Sequence, residues 1–436
     1  MKETQTPDWR PMWRDLGLDL EMHDQLLAAL PGIYERVYLE PELQRNRPEV
    51  MSFWDFVVGD IHGVRVSELV KAKAAGKKVV GTFCLYVPDE LIEAAGAVGV
   101  GLCGGTNFSE YAARDVVPAN TCPLIKSAMG FALGSICPYY ASVDLLVGET
   151  TCDGKKKAWE VLSATKRVHV LETPQCKGRP QARALYLAEL RQLASVLEDL
   201  TGNQITPESL HAACEKVQLK RDQLARVHGA RKADPVPISG KDALLVSQVA
   251  FYDDLDREVE MLGKLADELE RRVESGVGVA PAGTKRIVVS GTPHAIPNWK
   301  LHDVVETSGA VVVAEETCTG TRYFQSRLEV PRFEPGRASV DELLEKIADR
   351  YLSINCACFT PNDGRAEDVE RLAREYRADG VILNSLSFCT PYEQENLLLE
   401  RRLRDAGVKV LSVSTDYSDE DVAQLKTRVE AFLEML

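Results

Sequence analysis

Residues 78–103 read KVVGTFCLYVPDELIEAAGAVGVGLC, and this stretch decides the fold. It contains two short apolar strands, VVGTF and AVGVGLC, separated by the helical segment DELIEAAG. Two more apolar strands, VDLLVGET and RVHVLE, follow with helical segments between them. Short buried strands that alternate with helices of about 10–15 residues are typical of βαβ units. The stretch therefore predicts a parallel sheet covered by helices.

The second half of the chain repeats this pattern. Residues 285–318 read KRIVVSGTPHAIPNWKLHDVVETSGAVVVAEETC and align by eye with the first stretch. Gly81-Thr82 corresponds to Gly291-Thr292, and Cys103 corresponds to Cys318. The strands GVILNSLSF and VKVLSVST complete the second set. We therefore predict an α/β protein with two flavodoxin-like or Rossmann-like parallel-sheet domains in a tandem pseudo-repeat.

Two predominantly helical regions accompany the repeats. Residues 1–75 contain no good strand and are predicted to form short helices. Residues 180–284 contain long amphipathic helices, one of which begins at Thr206-Pro207 and buries Cys214 on its apolar face. The predicted divisions are thus 1–75, 76–179 for the first α/β domain, 180–284, and 285–436 for the second α/β domain.

Composition and charge exclude several classes of protein. The chain has 436 residues, 45% of them hydrophobic and 27% charged, as in soluble globular proteins. A net charge of −14 argues against binding to nucleic acid or to an anionic membrane. Apolar runs are too short to span a bilayer, and the N-terminus MKETQTPDWRPMW lacks a signal core. We expect a cytoplasmic protein.

Seven of the eleven cysteines follow the repeat. Each half is expected to place one cysteine just past the carboxyl end of strand two, one past strand four, and another in the segment between them. In open α/β sheets, ligand sites form at these ends. Two such domains that face one another would gather six or seven thiols. The equivalent positions are Cys103 and Cys318, Cys122 and the Cys356/Cys358 pair, and Cys152 and Cys389.

Dispersed cysteines of this kind favour an iron–sulfur cluster over a zinc ion. Structural zinc sites use local CxxC pairs, and the chain has none. Iron–sulfur clusters take thiolate ligands, which helix N-termini after strand ends would stabilise. Three cysteines per cubane would leave one iron open to a substrate, or to a sulfide that bridges to a second cubane.

Three segments, TFCLYVPDELIEAAG, ANTCPLIKS and ETTCDGKKKAWEVL, resemble the 2-hydroxyacyl-CoA dehydratase / benzoyl-CoA reductase superfamily. The resemblance covers nearly the whole chain beyond the N-terminal helices. For ordinary dehydratase subunits it implies a single [4Fe–4S] cluster held by Cys122, Cys152 and Cys389. Because this chain also has Cys103, Cys318 and the Cys356/Cys358 pair, it looks closest to the double-cubane cluster proteins of the superfamily. That likeness implies an [8Fe–9S] cluster in a homodimer.

The resemblance also implies a partner and a reaction. In this superfamily a separate ATP-hydrolysing [4Fe–4S] reductase, the activator, injects low-potential electrons, and double-cubane proteins are thought to reduce small unsaturated molecules. No GxxxxGK[ST] motif occurs in this chain, so ATP hydrolysis would belong to the partner. The alternatives are a subunit of a [4Fe–4S] dehydratase that removes water from a 2-hydroxyacyl-CoA, and an iron–sulfur cluster carrier.

Several further residues are weighed as candidates. His294 is a candidate proton donor in the cleft, although a surface loop histidine is the more ordinary interpretation, and Glu149, Glu315 and Glu316 are similar candidates. Because neighbouring strand residues alternate in direction, only one of Cys356 and Cys358 is expected to be a ligand. Cys84 is expected within a strand and not as a ligand, whereas Cys137 and Cys176 are expected to be structural. The run Lys155-Lys156-Lys157 is either a solvated face or a source of positive charge for the cluster or a partner.

Overall fold

The first parallel sheet is built from residues of the 78–171 region. The computed structural model describes residues 7–40, 44–102, 104–334 and 339–436. Four parallel strands lie in the order β2-β1-β3-β4, which is the start of the flavodoxin-like order. Their bounds are β1 Val79–Thr82, β2 Val98–Gly101, β3 Leu145–Glu149 and β4 Val168–Leu171.

The second sheet has the same topology as the first. Its four parallel strands lie in the order β6-β5-β7-β8, so the tandem repeat predicted from the sequence is confirmed. Valine, isoleucine and leucine fill these strands, and both faces are buried, as expected for parallel sheets under helices. The bounds are β5 Lys285–Gly291, β6 Ala310–Glu316, β7 Gly380–Leu386 and β8 Val410–Thr415.

One detail of the predicted strand count is wrong. Cys152 and Cys389 follow β3 and β7, the third strand of each sheet and not the fourth. The segments that carry Cys122 and the Cys356/Cys358 pair form turns, since Pro123 begins a helix and residues 355–361 are irregular. A strand was therefore counted where none exists. The error leaves the correspondence between the two halves intact.

Helices connect and cover the two sheets. Thr206 caps α10 as predicted, accepting a hydrogen bond from the Ser209 amide, and the helix ends at Ala230. Cys214 on this helix is fully buried, which confirms its place in the core.

The N-terminal helices are α1 Arg10–Asp15, α2 Leu20–Tyr34, a π-helical turn Glu35–Leu39, a 3₁₀ turn Glu49–Met51, α3 Ser52–Gly59 and α4 Val64–Ala74. The first sheet is accompanied by α5 Asp89–Ala94, a 3₁₀ turn Glu110–Ala113, α6 Pro123–Leu133, α7 Pro138–Ser142 and α8 Asp153–Leu162. The helical region contains α9 Pro180–Thr201, α10 Pro207–Ala230, α11 Gly240–Val249 and α12 Leu255–Glu274. The second sheet is accompanied by α13 Lys300–Thr307, α14 Thr321–Phe324, α15 Val340–Leu352, α16 Asp363–Glu375, α17 Thr390–Asp405 and α18 Val422–Glu434.

The hydrophobic core is continuous across the first sheet, the N-terminal helices and the helical region, and two smaller clusters cover the faces of the second sheet. Within the described ranges, each helix is too short or too polar to cross a lipid bilayer.

Gly291 holds the end of β5 against β7, and we expect the Gly291→Ala variant to lose about 2–4 kcal/mol of unfolding free energy. A Cβ atom at this position would lie 1.7 Å from the Asn384 carbonyl oxygen, and the φ angle of Gly291 is +150°. Urea denaturation measures the effect. The matched control is Gly59→Ala, where a Cβ meets no atom within 4 Å and the helix should gain slightly. Equal denaturation midpoints for wild type and Gly291→Ala would contradict the prediction.

Candidate functional site

A cavity of about 770 Å³ lies at the carboxyl ends of both sheets. Residues directly after β1, β3, β5 and β7 line it, among them Phe83, Thr151, Thr292 and Phe388. In each sheet these two strands are neighbours across the topological switch point, where α/β proteins form their ligand sites. The volume falls in the range of about 300–1,000 Å³ that is usual for ligand cavities.

Eight of the eleven cysteines line this one cavity. Six of the seven predicted metal ligands are among them, so the structure brings these six together. The seventh, Cys103, lies outside the described residues. Cys84 and Cys137 also reach the cavity, although they are not among the predicted ligands. The full set is Cys84, Cys122, Cys137, Cys152, Cys318, Cys356, Cys358 and Cys389.

Three of these thiols, Cys122, Cys152 and Cys389, form a first group. The Cys389 thiol donates a hydrogen bond to Cys122, which lowers the pKa of Cys122, and backbone amides at the start of α6 add to the effect. Burial raises the pKa of Cys152, and the charge of Lys155 and its backbone amide oppose that rise. Each of the three cysteines is the N-cap residue of a helix: α6, α8 and α17. All three thiols therefore sit where the helix dipole stabilises a thiolate.

The second group contains Cys84, Cys318, Cys356 and Cys358. The Cys358 thiol donates to Cys356, and this bond is the largest cause of the lowered pKa of Cys356. Burial raises the pKa of Cys318 to about 11, while Cys356 and Arg322 act on it electrostatically. Cys84 and Cys318 both act electrostatically on Cys358. These interactions show that the four thiols lie near one another.

Two predictions about this group are wrong. Cys84 was expected within a strand, but β1 ends at Thr82, so Cys84 lies beyond the strand at the edge where sites form. Cys356 and Cys358 were expected to point in opposite directions. Their segment is irregular and not extended, and both thiols line the cavity and bond to each other.

Lys155 lies between the two groups of thiols. Its ammonium forms an ion pair with the fully buried Glu149. Burial raises the pKa of Cys84, and the charge of Lys155 opposes that rise, as it does at Cys152 in the first group. Lys156 is partly exposed and Lys157 is largely exposed, and both pair with neighbouring carboxylates. Positive charge next to the thiols is therefore the interpretation that applies to Lys155, whereas a solvated face applies to Lys156 and Lys157.

A buried network of charged and polar side chains contacts the thiols of the second group. Arg322 is fully buried, forms a two-point ion pair with Glu316, and donates to Cys318 Sγ at 3.9 Å. Arg322 also donates to the hydroxyl of Tyr392, which lies 3.4 Å from Cys356 Sγ. A guanidinium and a phenol are therefore placed as donors to two thiols of this group.

His294 lies behind the cavity wall, and its chain neighbours Pro293 and Ala295 line the cavity. The imidazole is fully buried, with its ring 5.0 Å from that of His302, and burial lowers its pKa to about 3. Glu315 is also enclosed. Although burial opposes it, the Arg231 guanidinium holds the pKa of Glu315 well below its usual range, so this carboxylate stays ionised.

The side chains in the described ranges include no group of three or more His, Cys, Asp or Glu residues that converge on a single metal ion. A single ion needs all its ligands within about 2.0–2.3 Å of one point. The thiols of an iron–sulfur cluster bind different irons and therefore lie farther apart. The donor set, seven thiols in two groups around one cavity, fits a cluster better than an ion.

Known proteins are similar to this chain over most of its length. A family model described as 2-hydroxyglutaryl-CoA dehydratase, D-component, matches residues 84–436. A putative dehydratase subunit of Escherichia coli is 35% identical over 84% of this chain and 93% of its own length. The (R)-phenyllactyl-CoA dehydratase beta subunit of Clostridium sporogenes is 25% identical over 83% of this chain and 92% of its own length. A benzoyl-CoA reductase subunit of Thauera aromatica is 23% identical over 77% of this chain and 85% of its own length.

Proposed function

The chain belongs to the 2-hydroxyglutaryl-CoA dehydratase D-component family, and from this premise we propose that it is a redox enzyme that carries a double-cubane [8Fe–9S] cluster. It accepts low-potential electrons from a separate ATP-hydrolysing [4Fe–4S] reductase. With them it reduces small unsaturated molecules. It works as a homodimer in the cytoplasm.

The observation that carries this proposal is the division of the cavity thiols into two groups. Cys122, Cys152 and Cys389 hold one cubane. The other is held by thiols drawn from the second group, namely Cys84, Cys318, Cys356 and Cys358, with Cys103 as a further donor from the chain outside the described ranges. A single [4Fe–4S] cluster would leave the whole second group without a role. When bound, the cluster supplies the cavity with electrons at low potential.

The charges around the cavity support a cluster with many thiolates. Thiolates are costly to bury unless cations or amide donors face them. The charge of Lys155 favours the thiolate form of cysteines in both groups, and the charge of Arg322 does so in the second group. Three helix N-termini face the first group. These cations and helix N-termini stabilise negative charge at the cavity.

The cavity wall favours a small substrate without the phosphates of coenzyme A. Leucine, phenylalanine, tyrosine and isoleucine side chains make up much of it. Among the described lining residues, the only cations are Lys155 and Lys156, and each pairs with a carboxylate. Binding of a diphosphate usually uses unengaged arginine or lysine side chains or helix N-termini. Here the helix N-termini face the thiols.

A second candidate is a dehydratase-type subunit with one [4Fe–4S] cluster at Cys122, Cys152 and Cys389. The names of the relatives, which include dehydratase beta subunits, favour it. In that case the protein would act on a 2-hydroxyacyl-CoA together with a second subunit.

Iron and acid-labile sulfide analysis of anaerobically purified protein tests the proposal. We expect about eight irons and about nine sulfides per chain. About four irons per chain would replace the proposal by the dehydratase-type candidate. A colourless, iron-free protein would contradict both. The second readout is the consumption of ethyne, used as an artificial unsaturated substrate. If the double-cubane proposal is right, this consumption requires both ATP and the reductase.

A further inference from the structure

The roof of the cavity is formed by the N-terminal helices, which precede the residues matched by the family model. Leu26, Leu27 and Leu30 of α2 line the cavity together with Ile61 and His62 from the turn between α3 and α4. His62 is half-buried and is the histidine that lines the cavity among the described residues. The roof thus offers one polar group within an apolar surface.

Aromatic donors fix the turn that carries His62. The Trp9 indole donates to Asp60 at 3.1 Å, Tyr139 donates to the Ile61 carbonyl at 2.7 Å, and Trp13 donates to the His62 carbonyl at 2.8 Å. A Cβ atom on Gly63 would lie 2.1 Å from the Asp60 carboxylate, so the turn is closely packed. The backbone at His62 is therefore held from several sides, as a rigid binding group requires.

The His62 ring is oriented by a second histidine. His23 Nε2 lies 2.9 Å from His62 Nδ1, and the two rings stack at 5.0 Å. Burial lowers the pKa of His23 to about 4 and that of His62 to about 3, so both imidazoles are neutral at neutral pH. Each ring then carries one proton. The shared hydrogen bond couples the positions of the two protons.

The environment of His23 selects one arrangement of these protons. His23 Nδ1 is buried and has no hydrogen-bond partner among the described residues. A buried N–H without an acceptor is rarer than a buried acceptor without a donor. The proton of His23 therefore lies on Nε2 and is donated to His62 Nδ1. The proton of His62 then lies on Nε2, the ring nitrogen that the His23 contact leaves available.

We propose that His62 Nε2–H is the hydrogen-bond donor that holds the physiological substrate in this cavity, and that this substrate is a small unsaturated molecule with a lone pair on nitrogen or oxygen. This inference rests on the proposed function and adds the class of substrate to it. The leucines of α2 make the wall around this donor apolar. His23 acts as a positioning residue, because it fixes which nitrogen of His62 carries the proton.

Azide is a suitable probe, since it is small and unsaturated and carries lone pairs. The test records the antisymmetric stretch of bound azide by infrared spectroscopy in the wild type and in the His62→Leu and His62→Gln variants. We expect His62→Leu to shift the band and to weaken azide binding about tenfold, because one hydrogen bond in an enclosed site is lost. His62→Gln should keep most of the affinity, since its amide also donates.

The control is His169→Gln on β4, a buried histidine that is not part of the cavity lining. It should leave the azide band and the dissociation constant unchanged. The proposal is overturned by an azide band that is identical in wild type and His62→Leu, or by a wild type that binds no azide. The iron content and ethyne consumption test the proposed function separately, so failure of one does not imply failure of the other.

Discussion

Cys122→Ser and Cys318→Ser should each remove about half of the iron, leaving about four atoms per chain, and the double variant should be free of iron. The two residues belong to different groups of thiols, and each group holds its own cubane under the proposed function. A serine hydroxyl stays protonated and is a poor ligand for iron. Reductase-dependent turnover should fall by more than about 100-fold in both single variants. Iron analysis and electron paramagnetic resonance of the reduced proteins provide the measurements.

The chain offers two matched controls for these variants. Cys214 is buried in the core on α10, and Cys176 is half-buried and is not part of the cavity lining. Cys214→Ser and Cys176→Ser should keep the full iron content. If Cys318→Ser also keeps it while Cys122→Ser loses all iron, the second group is not a cluster site. The dehydratase-type candidate would then be the better description.

The fold was largely predictable because its information is local. Each strand is a short run of β-branched and aliphatic residues, and turns or caps such as Gly76 and Thr206 mark the helix ends. The repeat made the prediction stronger, since β1 pairs with β2 and β5 pairs with β6 in the same parallel arrangement. An element assigned in one half of the chain therefore predicts the equivalent element in the other half.

The site was predictable only where it follows regular structure. Cys122, Cys152 and Cys389 stand directly before helices and line one cavity, as expected, although Cys152 and Cys389 follow the third strand and not the fourth. Cys84 and the Cys356/Cys358 pair depend on where a strand ends and on an irregular turn. Element boundaries and irregular backbone are the least certain part of any prediction from sequence.

Contacts between distant parts of the chain were not predictable. His62 reaches the cavity only because the N-terminal helices fold over the sheet, and it meets His23 across 39 residues. Tyr392 and Arg322 meet across 70 residues. A sequence signal did exist for Arg322, which stands only four residues after Cys318. Arginine at that spacing from a candidate ligand can donate to its thiol.

Arg322→Met should lower the free energy of unfolding by about 3–5 kcal/mol. Methionine has a similar volume, so the effect reports the charge and not a cavity. The fully buried Glu316 loses its two-point partner and keeps Arg365 at 3.2 Å, while the Gly291 carbonyl loses a donor at 3.0 Å. A buried carboxylate with incomplete pairing is strongly destabilising, since desolvation is no longer offset. Urea denaturation under anaerobic conditions measures the loss.

The comparison that isolates burial is Arg327→Met. The Arg327 side chain is 67% exposed and pairs with Asp222 at 3.1 Å, a contact of the kind worth at most about 1 kcal/mol in solvent. Because the two arginines belong to the same segment of the chain, their difference measures what burial adds to an ion pair. Similar small losses in both variants would show that Arg365 and the Ser290 hydroxyl are enough to compensate Glu316. In that case Arg322 would act on the thiols of Cys318 and Cys356 and would contribute little to the stability of the fold. Arg322→Met would then lower the iron content and leave the urea denaturation midpoint unchanged.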